Sequence, residues 1–300
     1  MKQREVFYRF PNWLQLICLV LIMIGCLLVS TNIATLLAAL FFGLDSLNYA
    51  APLLFVQAIA VTGGFLLPSL WFFRMQKAGN PDYPSAKKGV PLKILLLSVL
   101  AYFLLCPFIS ALQEWNTSWS FPEKWQNIEE FFRNKSLQAE LLSQKMLLTD
   151  SWGLFICGIL VVGLGAGVCE EFFFRGCLQN IFRSWFKNAH IAVWVCAAVF
   201  SLFHGDLFGF LPRLFLGALL GYLYLWSGSI WLPVIVHTLN NTVLATVYFL
   251  NHNGYIALSP DTLEHSPHWL IVLPCLALCT GICFLLAQRA KERQSTWQAK

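Results

Sequence analysis

The sequence predicts an all-α membrane protein: a polytopic bundle of about eight transmembrane helices with one further amphipathic helix near residues 123–148. The first observation is composition. Of 300 residues, 58% are apolar and only 12% are charged, and the mean hydropathy is +0.64, outside the range of soluble domains. The second is a series of long apolar stretches, and the third is an uneven distribution of Lys and Arg between them. We therefore treat residues 1–300 as a single membrane domain.

Eight apolar stretches are long enough, or nearly so, to cross the roughly 30 Å hydrocarbon core of a bilayer. The first is about twice the length of a signal peptide's hydrophobic region, which favours an uncleaved anchor. Two of them, at 189–204 and 208–226, are short and could be tilted or re-entrant. The stretches run at about 13–42, 50–73, 91–113, 151–174, 189–204, 208–226, 229–250 and 267–288.

The distribution of Lys and Arg predicts the topology. Of the 20 basic residues, 15 fall on alternate segments beginning with the N-terminus and 5 on the other side. Because cytoplasmic loops are enriched in Lys and Arg, both termini should be cytoplasmic. We expect a multi-pass protein of the cell inner (plasma) membrane. The net charge of +5 is thus explained by the topology of a chain whose partner is the lipid bilayer. It gives no indication of nucleic acid binding.

The polar segment 114–150 predicts an amphipathic helix. Its apolar residues recur at mostly helical spacing from Trp125 to Leu142, with Glu and Lys between them. Such a helix lies on the outer surface or caps the bundle. A lid or structural brace is favoured over a peripheral interaction module, because a charged helix face is usually just solvated.

The most informative stretch is 163–175, GLGAGVCEEFFFR, where charged residues close a long apolar run. A charge inside hydrocarbon costs a few kcal/mol, so these residues need a structural or chemical reason. Glu171 and Arg175 are four apart and can form an ion pair on one helix face. Glu170 lies about 100° away, outside that pair, and is suited to accept or carry a proton. Gly163 and Gly167 fit close helix packing nearby.

On its own, the stretch also fits a purely structural salt-bridge cluster that locks one helix to its neighbours. A second polar insertion follows at the end of the fifth stretch, where Phe200 and His204 are four residues apart. A single histidine near a membrane boundary is typical of an interfacial or hydrogen-bonded residue. Asp206 and Arg213 could simply pair in the following loop.

The third polar insertion lies within the seventh stretch, where His237 and Asn241 are four apart and share a helix face. Alone, this pair could simply join two membrane helices by hydrogen bonds. Together with Glu170 and His204, it predicts a buried polar cavity formed by three separate spans.

These three motifs, Glu170-Glu171-x-x-x-Arg175, Phe200-x-x-x-His204 and His237-x-x-x-Asn241, occur in the order found in one family. The chain resembles the CPBP family of intramembrane proteases, which includes type II CAAX prenyl endopeptidases, Abi-type proteins and bacteriocin-immunity-associated proteins. The resemblance covers about residues 123–245, interpreted as the catalytic core region.

The resemblance implies hydrolysis of a peptide bond by a water activated inside the membrane. Glu170 would be the general base, with His204 orienting the water or sharing its proton. Asn241, aided by His237, would donate hydrogen bonds to the oxyanion of the tetrahedral intermediate.

Glu171, Arg175 and Phe200 would then provide structural support.

No cofactor is favoured. Zinc is the alternative, because the family has often been labelled metalloprotease and two His plus a Glu are possible ligands. Against zinc, the chain lacks His-Glu-x-x-His and has Asn241 where a stronger ligand would be expected. The ten cysteines include no Cys-x-x-Cys pair and are interpreted as small buried hydrophobes.

Three functions fit a buried polar cavity. The first is an endopeptidase acting on a membrane-associated protein or peptide. The second is a non-proteolytic scaffold or bacteriocin-immunity protein that uses the same fold for binding. The third is a transporter with a proton relay, disfavoured because no inverted repeat is visible. Retention of every motif residue favours the protease.

Bringing Glu170 and His204 to the same depth requires a long fourth helix. At 1.5 Å per residue, a fifth span that begins near Ala189 places His204 roughly 20 Å from the inner surface. We therefore predict that the fourth helix continues through Arg175 towards Phe186, which moves Glu170 to mid-membrane.

Overall fold

The computed structural model describes residues 7–77, 83, 89–260, 262 and 268–298, and these form helices without a β-strand. In that part of the chain, seven helices are long and apolar enough to cross a membrane, and an eighth apolar helix, Ala189–Phe203, is shorter. The predicted all-α polytopic bundle is confirmed. Five basic residues used for the topology prediction lie outside the described residues, namely Lys2, Arg4, Lys87, Lys88 and Lys300.

We number the helices in chain order. Short 3₁₀ turns at Ser46–Asn48 and Glu123–Trp125 precede α2 and α4. The helices are α1 Asn12–Phe42, α2 Ala50–Gln76, α3 Leu92–Thr117, α4 Gln126–Leu147, α5 Trp152–Phe186, α6 Ala189–Phe203, α7 Phe210–Ser227, α8 Trp231–His252 and α9 Trp269–Gln298.

The four helices from α5 to α8 are joined by short connections. Lys187 ends α5 in the left-handed conformation with φ 53°, and the Asn188 side chain then accepts hydrogen bonds from the first amides of α6. Gly228 ends α7 with φ 64°, a conformation that glycine adopts without steric cost. Two antiparallel helix pairs, α5–α6 and α7–α8, result.

Helix α5 is continuous from Trp152 to Phe186, which confirms the predicted extension of the fourth span. Its α-helical turn Ala166–Glu171 lies between two π-helical segments, Ile159–Gly165 and Phe172–Leu178. Single π-helical turns inside α-helices are frequent at functional sites. The two adjacent glutamates therefore lie near the middle of a 35-residue helix, as their chemistry requires.

Helix α4 is the predicted amphipathic helix. Its last turn buries Met146 and Leu147 against Leu53, Leu54 and Ala245 of the neighbouring helices. Its first half reaches the loop 204–209 between α6 and α7. The helix therefore lies across one end of the bundle, which we call the α4 end.

The opposite end carries the α7–α8 turn, and we call it the Gly228 end. Tyr8 and Asn12, just before and at the start of α1, line a cavity of about 550 Å³ together with Gly228. Arg289 of α9 lines a smaller recess with Ser227. The start of α1 and the later part of α9 thus share one end, as an even number of crossings requires. That this end faces the cytoplasm stays a prediction from the Lys and Arg distribution.

An aromatic core holds α5 in place. Phe173 and Phe174 on α5 make edge contacts with Phe65 of α2 and Phe200 of α6, with ring centroids 5.1–5.5 Å apart. These rings are buried, whereas α1 and α9 expose most of their large apolar side chains. Exposed apolar helices on the outside of the bundle are what contact with lipid demands.

Candidate active site

Glu171 is the centre of a buried polar cluster between α5 and α8. Its Oε1 lies 2.6 Å from Arg175 Nη1 and 2.7 Å from His237 Nδ1. Glu171 and Arg175 are completely buried, and His237 is 3% exposed. The predicted ion pair between Glu171 and Arg175 is confirmed, and it forms although the helix is π-helical from Phe172 onwards.

Arg175 links α5 to two further helices. Its Nη2 donates to the Gly217 carbonyl on α7 at 3.0 Å, and its guanidinium lies 4.8 Å from the Phe200 ring centroid on α6. A buried ion pair repays its desolvation only when its remaining hydrogen-bonding groups also find partners. The Gly217 carbonyl and the Phe200 ring supply part of that compensation. The arrangement holds α5, α6 and α7 together around the acidic pair.

His237 connects the two glutamates. A carboxylate accepts hydrogen bonds, so Nδ1 of His237 carries the proton that it shares with Glu171. The other ring nitrogen, Nε2, faces Glu170 Oε2 at 3.9 Å, which is too long for a direct hydrogen bond. Neighbouring glutamates therefore contact opposite sides of one imidazole ring.

Glu170 differs from Glu171 in its surroundings. Its side chain is 16% exposed, and within the described part of the chain its Oε2 is buried without a hydrogen-bond partner. Buried polar atoms in proteins are nearly always paired, with protein groups or with water. Glu170 is thus a carboxylate that can still accept a hydrogen bond, next to a carboxylate whose Oε1 is paired with both Arg175 and His237 and whose Oε2 has no partner among the described residues.

His204 follows the last residue of α6 and is exposed. Its Nδ1 lies 2.9 Å from the Phe200 carbonyl, which can only accept, so Nδ1 carries a proton and Nε2 is left with its lone pair. The Phe200 ring contacts both histidines, with centroids 4.9 Å from His204 and 5.8 Å from His237. His237 in turn faces Glu170 at 3.9 Å. The structure therefore brings these three predicted residues together.

Asn241 lies one helical turn beyond His237 and faces α5. Its Nδ2 donates to the Val162 carbonyl at 3.1 Å, and its Oδ1 accepts from Asn240 at 3.0 Å. Asn240 in turn accepts from the Tyr102 hydroxyl of α3 at 3.2 Å. Among the described hydrogen bonds, none joins Asn241 directly to the glutamates or histidines. The sequence analysis did not select Asn240 or Tyr102, although the adjacent pair of asparagines was a visible signal.

Two glycines allow α5 and α8 to approach closely. A Cβ atom on Gly167 would lie 2.5 Å from Thr238 Oγ1 and 3.1 Å from the Thr238 backbone nitrogen. A Cβ atom on Gly163 would lie 2.7 Å from Thr242 Oγ1. Real side chains do not make such short contacts, so both positions need glycine. The close approach brings His237 within hydrogen-bonding distance of Glu171.

A zinc ion at this site would need a grouped set of protein ligands. Within the described residues, no three His, Cys, Asp or Glu side chains are grouped so that they could hold one metal. Catalytic zinc sites generally use three protein ligands. We therefore derive no chemical step through a metal.

A multi-pass helical bundle with a carboxylate near the middle of one span and an imidazole beside it is typical of a protein with chemistry inside the membrane. Residues 152–243 match the family model described as type II CAAX prenyl endopeptidase, Rce1-like. The matched segment runs from the first helical residue of α5 into α8 and contains all three motifs. This places that segment in the CPBP, or CAAX protease, family, confirms the resemblance, and supports a CAAX-type intramembrane protease. The comparisons with curated proteins and with solved structures find no match.

Proposed function

We propose that the chain is an intramembrane endopeptidase that hydrolyses a peptide bond of a membrane-associated protein or peptide, with Glu170 as the base. The observation that carries the proposal is the state of Glu170. Its carboxylate is partly buried at mid-span, its Oε2 is unpaired, and a histidine nitrogen lies 3.9 Å away. An unpaired carboxylate oxygen next to a histidine nitrogen is in position to accept a proton from a water held between them.

In this mechanism, a water donates one hydrogen bond to Glu170 and the other to a histidine. Nε2 of His237 and Nε2 of His204 are the two candidate acceptors, because the Nδ1 atom of each ring carries a proton. Glu170 takes a proton as the water oxygen adds to the substrate carbonyl. The same proton then passes to the leaving amine, which completes hydrolysis.

Asn241 is the proposed oxyanion donor. One of its two amide hydrogens is committed to the Val162 carbonyl, and the other is available for a substrate oxygen. Removing a single donor of this kind typically costs about 3 kcal/mol of transition-state stabilisation. In this proposal, His237 assists by holding the Glu170 side of the site through the hydrogen bond from its Nδ1 to Glu171.

Glu171, Arg175 and Phe200 are proposed as structural support. The ion pair neutralises the charge next to Glu170, and Phe200 separates the two imidazoles. Without this pairing, two adjacent carboxylates would repel each other, and one of them would be expected to bind a proton.

Catalysis without metal is part of the same proposal, and zinc is the competing hypothesis. The test is elemental analysis of the purified protein and of the His204→Ala and His237→Ala variants. We expect less than stoichiometric zinc in all three. One zinc per chain that is lost in both variants would contradict the proposal.

We propose that substrates reach the site from the lipid bilayer and that the protein lies in the cell inner membrane with both termini in the cytoplasm. The start of α1 and the later part of α9 lie at the same end, in support of this topology. Reporter fusions at each terminus, active on only one side of the membrane, test it. Opposite signals from the two termini would contradict it.

The proposed activity is tested by comparing peptides in the membrane and secreted fractions of cells that express matched variants. Glu170→Gln and His204→Ala should lose the cleavage products. Glu130→Gln, the same change at an exposed position on α4, should retain them. An unchanged set of peptides in Glu170→Gln cells would favour the alternative, a non-proteolytic scaffold or bacteriocin-immunity protein with the same fold.

A further inference from the structure

The loop 204–209, which carries His204, is organised by a single carboxylate. Asp206 Oδ1 accepts from the backbone amides of Phe208 and Gly209, each at 3.1 Å. Its Oδ2 accepts from Arg213 Nη1 at 2.7 Å, which confirms the pairing considered from the sequence. Burial raises the pKa of the Asp206 carboxyl, but Arg213, Ser136 and Gly209 lower it more, so its pKa lies below the ordinary value. Asp206 is therefore ionised at neutral pH.

The same carboxylate reaches outside its loop to the amphipathic helix α4. Ser136 Oγ donates to Asp206 Oδ1 at 2.5 Å. One turn earlier on α4, the guanidinium of Arg133 lies 4.1 Å from the ring centroid of Phe208. These two contacts join the first half of α4 to the loop 204–209.

A third element, helix α3, also holds the loop 204–209 in place. Asn116, near the end of α3, is completely buried. Its Nδ2 donates to the Leu207 carbonyl at 3.1 Å, and its Oδ1 accepts from the Leu211 amide at 2.9 Å. The backbone on both sides of Phe208 is thus held by side chains from other helices.

Helix α4 connects this loop to the far side of the site. Its last turn packs on Leu53 and Leu54 of α2 and on Ala245 of α8, the helix that carries His237. A movement of α4 relative to the bundle would act on the loop through Ser136 and Asp206. Since His204 is the first residue of that loop, its imidazole would move as well.

From these contacts we propose that Asp206 is a positioning residue, and that the hydrogen bond from Ser136 lets helix α4 set the position of His204. This inference rests on the proposed function only in calling His204 a catalytic group. The coupling of α4 to the loop is a physical claim that can be measured without substrate.

The test uses two serines on the same helix. Each Oγ lies 3.0 Å from the carbonyl four residues earlier on α4, Phe132 for Ser136 and Ala139 for Ser143, and Ser136 Oγ also contacts Asp206. Ser136→Ala removes the link, and Ser143→Ala is the matched control. Ser136→Thr keeps a hydroxyl and should restore wild-type behaviour. Asp206→Asn removes the charge that Arg213 and Ser136 share, and if this variant fails to fold, Ser136→Ala still tests the claim.

The measurement is the rate at which diethyl pyrocarbonate acylates His204 in purified protein, followed by mass spectrometry. The free Nε2 of His204 makes it reactive, and His190, exposed at the start of α6, is the internal reference. Loss of one ordinary hydrogen bond corresponds to about a fivefold change. We expect Ser136→Ala to raise the His204 rate relative to His190 by about that factor. An unchanged or lower rate, or an equal rise in Ser143→Ala, would overturn the inference.

A double-mutant comparison sharpens the result. If Ser136 and Asp206 act through one contact, Ser136→Ala combined with Asp206→Asn should raise the rate little beyond Asp206→Asn alone. Fully additive effects would contradict the link. Because the labelling needs no cleavage, a response here with unchanged peptides in Glu170→Gln cells would refute the protease and keep the positioning role. The opposite pair of results would refute only the positioning role.

Discussion

Glu170 and Glu171 are neighbours in the chain, yet they occupy opposite environments. We call Glu171, Arg175 and the Nδ1 side of His237 the closed half of the site, because every contact there is direct and buried. The open half contains Glu170, His204 and the Nε2 side of His237, where Glu170 lies 3.9 Å from its nearest partner and His204 is exposed.

The difference shows how one helix can provide both stability and reactivity. In the closed half, the direct bonds of Glu171 Oε1 to Arg175 and His237 fix the geometry, although Glu171 Oε2 and Arg175 Nε have no partner among the described residues. The open half keeps unpaired acceptors, which costs stability and is characteristic of functional sites. The following predictions test this division, beginning with the largest expected effect.

Removing Arg175, the cation of the closed half, should have the largest effect on stability. Arg175→Met leaves a buried carboxylate without its partner and the Gly217 carbonyl without a donor, which should cost about 3–5 kcal/mol. Thermal unfolding of the purified protein in detergent measures the loss. Arg183→Met, the same change at an exposed position on α5, is the control and should have little effect.

The double variant Glu171→Gln with Arg175→Met is the decisive addition. It removes both charges, while the glutamine oxygen can still accept from His237. We expect it to be more stable than Arg175→Met alone. Equal or lower stability would mean that the pair does not act as a unit.

Exchanging each glutamate for glutamine compares the two halves directly. Glu171→Gln should lower stability by about 3 kcal/mol, because Arg175 loses its buried counter-charge. Glu170→Gln should change it by no more than about 0.5 kcal/mol, because no described ion pair or hydrogen bond within 3.5 Å depends on Glu170 Oε2. The measurement is again thermal unfolding, in parallel with the peptide assay. Similar losses of stability in both variants would remove the distinction between the halves.

The sequence was sufficient to predict the closed half in part. Charged residues in an apolar run have few possible partners, so the i,i+4 spacing of Glu171 and Arg175 was enough to predict their pairing. Apolar length and composition likewise predicted the spans and the continuous helix from Trp152 to Phe186. These inferences depend on local spacing, which the sequence contains directly.

Other features depend on which helices become neighbours, and the sequence did not predict them. The bond between His237 and Glu171 joins residues 66 positions apart, and the sequence analysis had assigned His237 only to assist Asn241. Asn241 itself turns to a backbone carbonyl of α5. The role of Ser136 beside Asp206 depends on how α4 lies across the bundle, which amphipathic periodicity does not specify.

A smaller effect is expected from separating α5 and α8. Gly167→Ala places a methyl group against Thr238 and should cost about 1–2 kcal/mol, since overpacking forces the helices apart. Gly281→Ala on α9 is the control, because a Cβ there meets nothing within 4 Å and should be neutral or slightly stabilising. Unfolding of both variants provides the comparison. If Gly167→Ala were as stable as Gly281→Ala, close approach of these helices would not be needed for the contact between His237 and Glu171.

The smallest effect concerns Glu129 of α4, which holds the segment before this helix by a hydrogen bond. Its Oε2 accepts from the Phe121 amide and its Oε1 from Arg133, both at 2.7 Å. The hydrogen bond from Phe121, followed by Arg133, lowers the pKa of Glu129. A lowered folded-state pKa gives stability that is present above the ordinary value of about 4.3 and is lost as the pH falls through the folded-state value.

Glu129→Gln should therefore speed amide hydrogen exchange near Phe121 relative to wild type at neutral pH, and the difference should shrink below about pH 4. Glu130→Gln, the adjacent exposed glutamate, is the control and should show no such pH-dependent difference. Exchange measured by mass spectrometry over the same pH series for all three proteins provides the comparison. A difference that persists unchanged at low pH would show that packing of the segment, rather than the Glu129 carboxylate, holds it against α4.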